Sequence, residues 1–230
     1  MLNKRLAIVA GAGPGLGFAL LKKFEQEGMV AVGLVRSASV SDGASSSPYL
    51  VSCDLSNRPA AEDCIHDLIR QYGAPAIVVH NPAHLVIEPF AHTSSEDFEA
   101  CWRSMVMSAV NLAQLVMQPM ARAGGGAMIV SGATASVRGG AKFSAFASAK
   151  FALRGLTQSL AREYQSANIH VVHTILDGII DSERSRQLHS LDPSHMIKAD
   201  DVANVYWQLA HQAPSTWTHE LDLRPQMEHF

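Results

Sequence analysis

Three cysteines, Cys53, Cys64 and Cys101, are all that the 230 residues contain. They lack metal-ligand spacing, and three cannot all pair within one chain. A disulfide scaffold and a thiolate metal site are therefore not expected, and the thiols read as small buried hydrophobes in a reducing compartment. Charge is also sparse: 18 Lys+Arg against 21 Asp+Glu give a formal net charge of −3, with no basic block. Neither duplex nucleic acid nor an anionic membrane is an expected partner. No apolar run is long enough to span a bilayer. The apolar stretch near the N-terminus stops at a glycine loop, so it reads as a strand and not as a signal peptide. These absences point to the cytoplasm. With 47% apolar residues, no repeat and no composition break, one domain over 1–230 is expected.

The glycine loop organises what is there. Leu6, Ala7, Ile8 and Val9 read as a buried parallel strand, and Phe18, Ala19, Leu20, Leu21 and Phe24 recur at helical spacing. Between them run Gly11, Gly13, Gly15, Leu16 and Gly17. A strand, a glycine turn and a helix make the first half of a βαβ unit, and the helix start offers unpaired N–H groups to a phosphate. Gly11 suits a sharp exit, Gly15 a close approach of backbone to a pyrophosphate, and Gly17 close packing of helix on strand. A glycine-rich turn without a ligand is the plainer alternative.

The second strand, 29–35, ends at Arg36. In a dinucleotide fold this position chooses the cofactor: a carboxylate takes the ribose hydroxyls, a cation the 2′-phosphate. Val35-Arg36 therefore favours NADP(H) over NAD(H), although Arg36 alone also fits a solvated loop charge. Asp42 lies too far into the serine-rich loop 37–48 to serve as the ribose acid. A third strand precedes Asp54-Leu55-Ser56, and a helix with Pro59 in its first turn follows. The fourth strand, 76–79, leads to His80-Asn81-Pro82-Ala83; with eleven histidines in the chain, some, such as His80 and His84, fall at a strand end by chance. Phe98, Trp102, Met105, Ala109, Leu112 and Val116 give one long helix over about 95–120, capped by Thr93 or Ser94. A strand at 127–130 runs into Ser131, Gly132, Ala133 and Thr134, and a helix rich in small residues carries Phe146 and Lys150. His170 reads as a strand-face residue in 169–176, a helix begins at Ala199, and 220–223 closes the sheet.

The order of glycine loop, Asp54, Asn81, Asn111 and Lys150 resembles that of short-chain dehydrogenases/reductases over most of the chain, with the family's G-x-x-x-G-x-G spacing through Gly11, Gly15 and Gly17. The resemblance implies an α/β, Rossmann-type doubly wound parallel sheet in three layers, a small-molecule substrate, no metal, and a homodimer or homotetramer joined through the two long helices. It implies adenine contacts from Asp54 and Leu55, a ribose approach at Asn81, a relay water near Asn111, ribose binding by Lys150, and a nicotinamide loop from Gly178, Ile179 and Ser182. Asp54 also fits a turn residue, and Asn111 a polar side chain bonded to backbone. Asp177 stands where the family has proline. The segment 183–197, at the substrate-loop position, is short and polar, which suggests a small or open site.

Two of the family's three catalytic side chains are missing. The tyrosine position, four residues before Lys150, holds Phe146, and the serine position holds Ala133. The tyrosines are Tyr49, Tyr72, Tyr164 and Tyr206, none of which reaches the pattern by a slip of register. Thr134 and Ser131 are the hydroxyls left to protonate a nascent alkoxide. The resemblance thus implies an atypical NADP(H)-dependent oxidoreductase on a small carbonyl or alcohol. Its rival is a catalytically silent NADP(H)-binding protein.

Overall fold

Seven strands form one parallel sheet in the order β3-β2-β1-β4-β5-β6-β7. The computed structural model describes residues 5–36 and 49–227. The loop 37–48, with Asp42, lies outside them. β1 (Leu6–Ala10), β4 (Pro75–His80), β5 (Gly126–Ser131) and β6 (Ile169–Leu176) are the central strands. β2 (Val30–Val35) and β3 (Tyr49–Ser52) extend one edge and β7 (Glu220–Leu223) the other. The central strands are buried along nearly their whole length, their few polar side chains included, because both faces of a parallel sheet are covered.

Alternate residues of each strand feed two cores. Ala7, Val9 and Ile129 pack with α1 (Leu16–Gln26) on one face. Ile8, Val78 and Val130 pack with α2 (Arg58–Tyr72) on the other. The first face is completed by α7 (Ala199–Ala210), whose Tyr206 is fully buried. The second carries two helices after α2. One of them, α5 (Ser144–Tyr164), buries Ala145, Ala149 and Leu153. The expected doubly wound, three-layered sheet is therefore what forms.

The long helix expected over 95–120 is not one regular helix. α3 (Ser95–Cys101) starts at a capping box, with Ser94 accepting from the Asp97 N–H and Asp97 from the Ser94 N–H. A π-helical segment, Trp102–Met107, follows and leads into α4 (Ser108–Arg122). Such a segment inserts extra backbone without ending the helix and turns its faces. Met105, Ala109, Leu112 and Val116 stay in the core, while Trp102 emerges 40% exposed. The segment 183–197 is likewise not all loop, since α6 (Glu183–Leu188) starts it, capped by the Ser182 hydroxyl. Among the described residues no helix is long and apolar enough to cross a membrane.

Candidate active site

The carboxyl ends of the strands come together along one edge, where open α/β sheets bind ligands. β1 leaves the sheet at Gly11, whose φ is +74°. A side chain there would place its Cβ 2.7 Å from Pro82 N and 2.8 Å from Asn81 C, so the loop after β1 and the loop after β4 touch through backbone. Asn81 adds a hydrogen bond from Nδ2 to the Gly11 carbonyl, 3.2 Å. At Gly17 a Cβ would lie 2.6 Å from Ala12 Cα; the turn folds onto the first residues of α1 only because that position carries no side chain. Gly15 is the N-cap of α1, and Leu16, its first residue, is buried. A Cβ at Gly15 would be 3.4 Å from Ser182 Cβ. The helix start and the segment after β6 thus face each other across the place where helix N–H groups point.

A cleft of about 590 Å³ opens beside this loop, lined by Gly11, Arg36, Asp54, Leu55, Asn81 and Arg103, among others. The structure therefore unites five of the residues singled out from the sequence. Arg36 is exposed on the cleft wall. Asp54 closes the turn after β3 by accepting from the Ser56 N–H (2.9 Å) and hydroxyl (2.7 Å), while Asn57 caps α2. Arg103 was not legible beforehand. It reaches the cleft from the π-helical segment, which leaves no mark in the apolar spacing.

The other candidates divide. Lys150 is buried, and its Nζ donates to the Ser131 carbonyl at 2.8 Å. The half-buried Phe146 ring lies beside it, 5.6 Å from Nζ to the ring centroid. The Ser131 hydroxyl points to the opposite layer, where it meets Tyr206 Oη at 2.9 Å. It is sealed from the cleft and cannot act as the proton donor expected of it. The period-two alternation of a strand explains this, because Ser131 shares its face with Ile129. Asn111 Nδ2 donates to the Leu55 carbonyl at 2.8 Å, so that amide pins α4 to the loop after β3, as its plainer reading expected. Thr134 Oγ1 donates to Asp177 Oδ1. Its proton is directed at a carboxylate here, so donating to an alkoxide requires that hydrogen bond to be given up. Gly178, Ile179 and Ser182 follow Asp177 in the segment that the Ile179 carbonyl ties to Ile197 N at 2.9 Å.

Behind these groups lies a buried basic cluster. Burial pushes Lys150 down to about 8. His80 is pushed down to about 3 by burial and then by the Lys150 charge, and His173 to about 4 by the same two causes. His80 Nε2 pairs with Ser108 Oγ at 2.8 Å, and its Nδ1 has no protein partner. His170 is a core histidine: its ring nitrogens face the carbonyls of Leu209 (3.1 Å) and Thr218 (2.8 Å), and the ring stacks on Trp217.

The lowered Lys150 value gives a signed prediction. Between pH 8 and 10.5 the unfolded lysine keeps a proton that the folded one has lost, so stability rises with pH across that interval. Wild type is expected to gain roughly 3 kcal/mol relative to Lys150→Met there. Urea unfolding of both proteins at pH 7, 8, 9 and 10 measures it, and parallel profiles would show that Lys150 is not buried as a cation.

A family model described as short chain dehydrogenase matches residues 5–191. A 3α-hydroxysteroid dehydrogenase of Mediterraneibacter gnavus is 28% identical, over 96% of this chain and 95% of that protein. A 3-oxoacyl-[acyl-carrier-protein] reductase of Chlamydia muridarum is 25% identical over 89% and 86%. The crystal structure of a short-chain dehydrogenase from Rhodopseudomonas palustris superposes with a TM-score of 0.79 at 29% identity, covering 96% of this chain and 98% of that one.

Proposed function

Because this chain belongs to the short-chain dehydrogenase family, we propose that it binds NADP(H) in the cleft beside the glycine loop and acts on a small carbonyl or alcohol without the family's tyrosine. One observation carries the reading: Gly11, Arg36, Asp54, Leu55 and Asn81 line a single cleft at the carboxyl edge of the sheet. The cradle fits a dinucleotide, since a side chain at Gly11 or Gly17 would meet backbone at 2.6–2.8 Å and the start of α1 is left open to a diphosphate. Gly11, Gly15, Leu16 and Gly17 would hold the phosphates, Asp54, Leu55 and Asn81 the adenosine, and Lys150, Gly178, Ile179 and Ser182 the nicotinamide riboside. When bound, the nicotinamide carries a hydride to or from the substrate carbon.

Arg36 decides the cofactor in this reading. A guanidinium meets a 2′-phosphate through charge-assisted hydrogen bonds that NADH cannot make. Arg36→Ala is expected to weaken NADPH about 10–100-fold and leave NADH within about twofold. Fluorescence titration of wild type and variant with each cofactor decides it. No binding of either nucleotide at millimolar levels would withdraw the whole reading.

The exposed Trp102, Met107 and Phe151, on the π-helical segment and α5, support a homodimer or homotetramer. A silent NADP(H)-binding protein is the second reading, and the phenyl ring and methyl group at 146 and 133 favour it. Micromolar NADPH binding without turnover over a carbonyl and alcohol panel would select it.

A further inference from the structure

We propose that Arg103 is the second cation of the cleft and closes, together with Arg36, on the 2′-phosphate of the cofactor. The proposal rests on the NADP(H) reading above and adds to it a specificity-determining residue that lies outside the motif positions.

Both cations are placed by the same short loop, the one after β3. On one side, β2 pairs with β3 in a register that sets Val35 opposite Ser52, and the Cys53 N–H donates to the Val35 carbonyl at 2.7 Å. Arg36 therefore leaves the sheet beside Cys53 and Asp54. On the other side stands the helical wall of α3, the π-helical segment and α4, which Asn111 ties to that loop through the Leu55 carbonyl at 2.8 Å. Ser108 fixes the same wall to the end of β4, its Oγ 2.8 Å from His80 Nε2. Arg103 stands eight residues before Asn111, which on an ordinary helix is about 80° past two full turns. The wider turns of Trp102–Met107 reduce that angle, so the two side chains keep to one side of the wall. Glu96, Glu99 and Arg103, at helical spacing, line the cleft together.

The charges on these walls call for a second cation. Among the described residues that line the cleft, Arg36 and Arg103 are the only lysine or arginine side chains, and the loop from Gly11 to Gly17 contains neither type. Asp54, Glu96 and Glu99 place three carboxylates on the same walls. A phosphate monoester carries about −2 charge at neutral pH and three strong acceptor oxygens. One guanidinium brings a single charge and a fork that covers two oxygens. With Arg36 alone the dianion stays half neutralised, beside carboxylates that repel it. Arg103 has its donors to spare: among the described residues it forms no ion pair, even with Glu99 at the i,i+4 spacing that favours one.

NADH has a hydroxyl where NADPH has this phosphate. Loss of the Arg103 guanidinium takes a charge-assisted contact from NADPH and leaves its phosphate facing Glu96 and Glu99 without a screen, whereas NADH loses neither. A side chain that only touched the adenine would act on both cofactors alike. The ratio of the two affinities therefore separates these roles.

The test uses adenosine 2′,5′-bisphosphate and 5′-AMP, which differ by the 2′-phosphate alone and carry no nicotinamide. Calorimetric titration measures both. Wild type is expected to bind the bisphosphate about 10²–10³-fold more tightly than 5′-AMP. Arg103→Ala should weaken the bisphosphate about tenfold and leave 5′-AMP within about twofold. Arg103→Lys, which keeps the charge without the fork, should lose about threefold. The double variant Arg36→Ala/Arg103→Ala should bind the two ligands equally. Retained 5′-AMP affinity shows in the same titration that each variant is folded. An unchanged bisphosphate affinity in Arg103→Ala overturns the proposal, and so does an equal loss for both ligands. The NADP(H) reading survives either result while wild type still prefers the bisphosphate; no preference in wild type withdraws both.

Discussion

Phe146→Tyr combined with Ala133→Ser is expected to raise NADPH-dependent carbonyl reduction by about 10²–10⁴-fold, the range that a positioned general acid supplies. The surroundings that such a tyrosine needs are already present. Position 146 sits one helical turn before Lys150 on α5, and its half-buried ring lies 5.6 Å from the Lys150 ammonium. A phenol beside a buried cation ionises below its ordinary value of about 10, which brings it nearer to a useful acid at neutral pH. The phenyl ring there can exchange no proton, and the methyl group at 133 can hold no carbonyl oxygen. Steady-state NADPH oxidation over a carbonyl panel, for the wild type, each single variant and the double variant, measures the gain. If the double variant binds NADPH as wild type does and still gains nothing, the substrate pocket and not the missing acid limits carbonyl reduction.

Acidification from pH 6.5 to 5 is expected to remove about 3 kcal/mol of stability, carried by two buried histidines. Folded His80 and His173 take protons only near pH 3 and 4, while in the unfolded chain they do so near 6.5. In the interval between, the unfolded state binds more protons, so stability falls with falling pH. Against the 5–15 kcal/mol of a typical domain this is a large share. The physical cause is the enclosure of both rings with the Lys150 cation. The ion-paired Asp181 and Glu220 carboxylates are held well below the usual range; their unfolded counterparts take protons mainly below pH 5, so they act in the same direction but add little within this interval. His170, lowered by burial, adds in the same direction. Urea unfolding at pH 6.5, 6, 5.5 and 5 reads the slope. His80→Asn/His173→Gln should flatten it, and an unchanged slope in that protein would place the acid sensitivity elsewhere.

Much of the site was legible because its signals are local. Gly11, Gly15 and Gly17 stand within one turn between a strand and a helix, where their spacing alone marks the loop, although only Gly17 is crowded by its own neighbours in sequence and Gly11 is crowded by Asn81 and Pro82. Asp54, Asn81 and Arg36 each follow directly on an apolar run that could only be a buried strand, so their place at the carboxyl edge of the sheet was fixed once the strands were found. The π-helical segment was not legible. Phe98, Trp102, Met105, Ala109, Leu112 and Val116 keep ordinary helical spacing across it, and the wider turn shows only in the backbone of a segment that packs against α5. The fate of Ser131 was legible but hidden by the resemblance: strand alternation puts it on the face of Ile129, away from the layer that holds Lys150.

By itself the sequence determined a doubly wound parallel sheet, the cleft beside its glycine loop, and the absence of a tyrosine and a serine from their expected places. These follow from apolar runs, turn chemistry and residue identity, which neighbours along the chain define. Only the tertiary structure decided that the Thr134 proton belongs to Asp177, that His80 closes on Ser108, and that Lys150 spends a hydrogen bond on the Ser131 carbonyl. Each of those pairs joins residues from different elements. Their meeting depends on which strands lie side by side and which helix covers them, an order set by packing the whole chain at once.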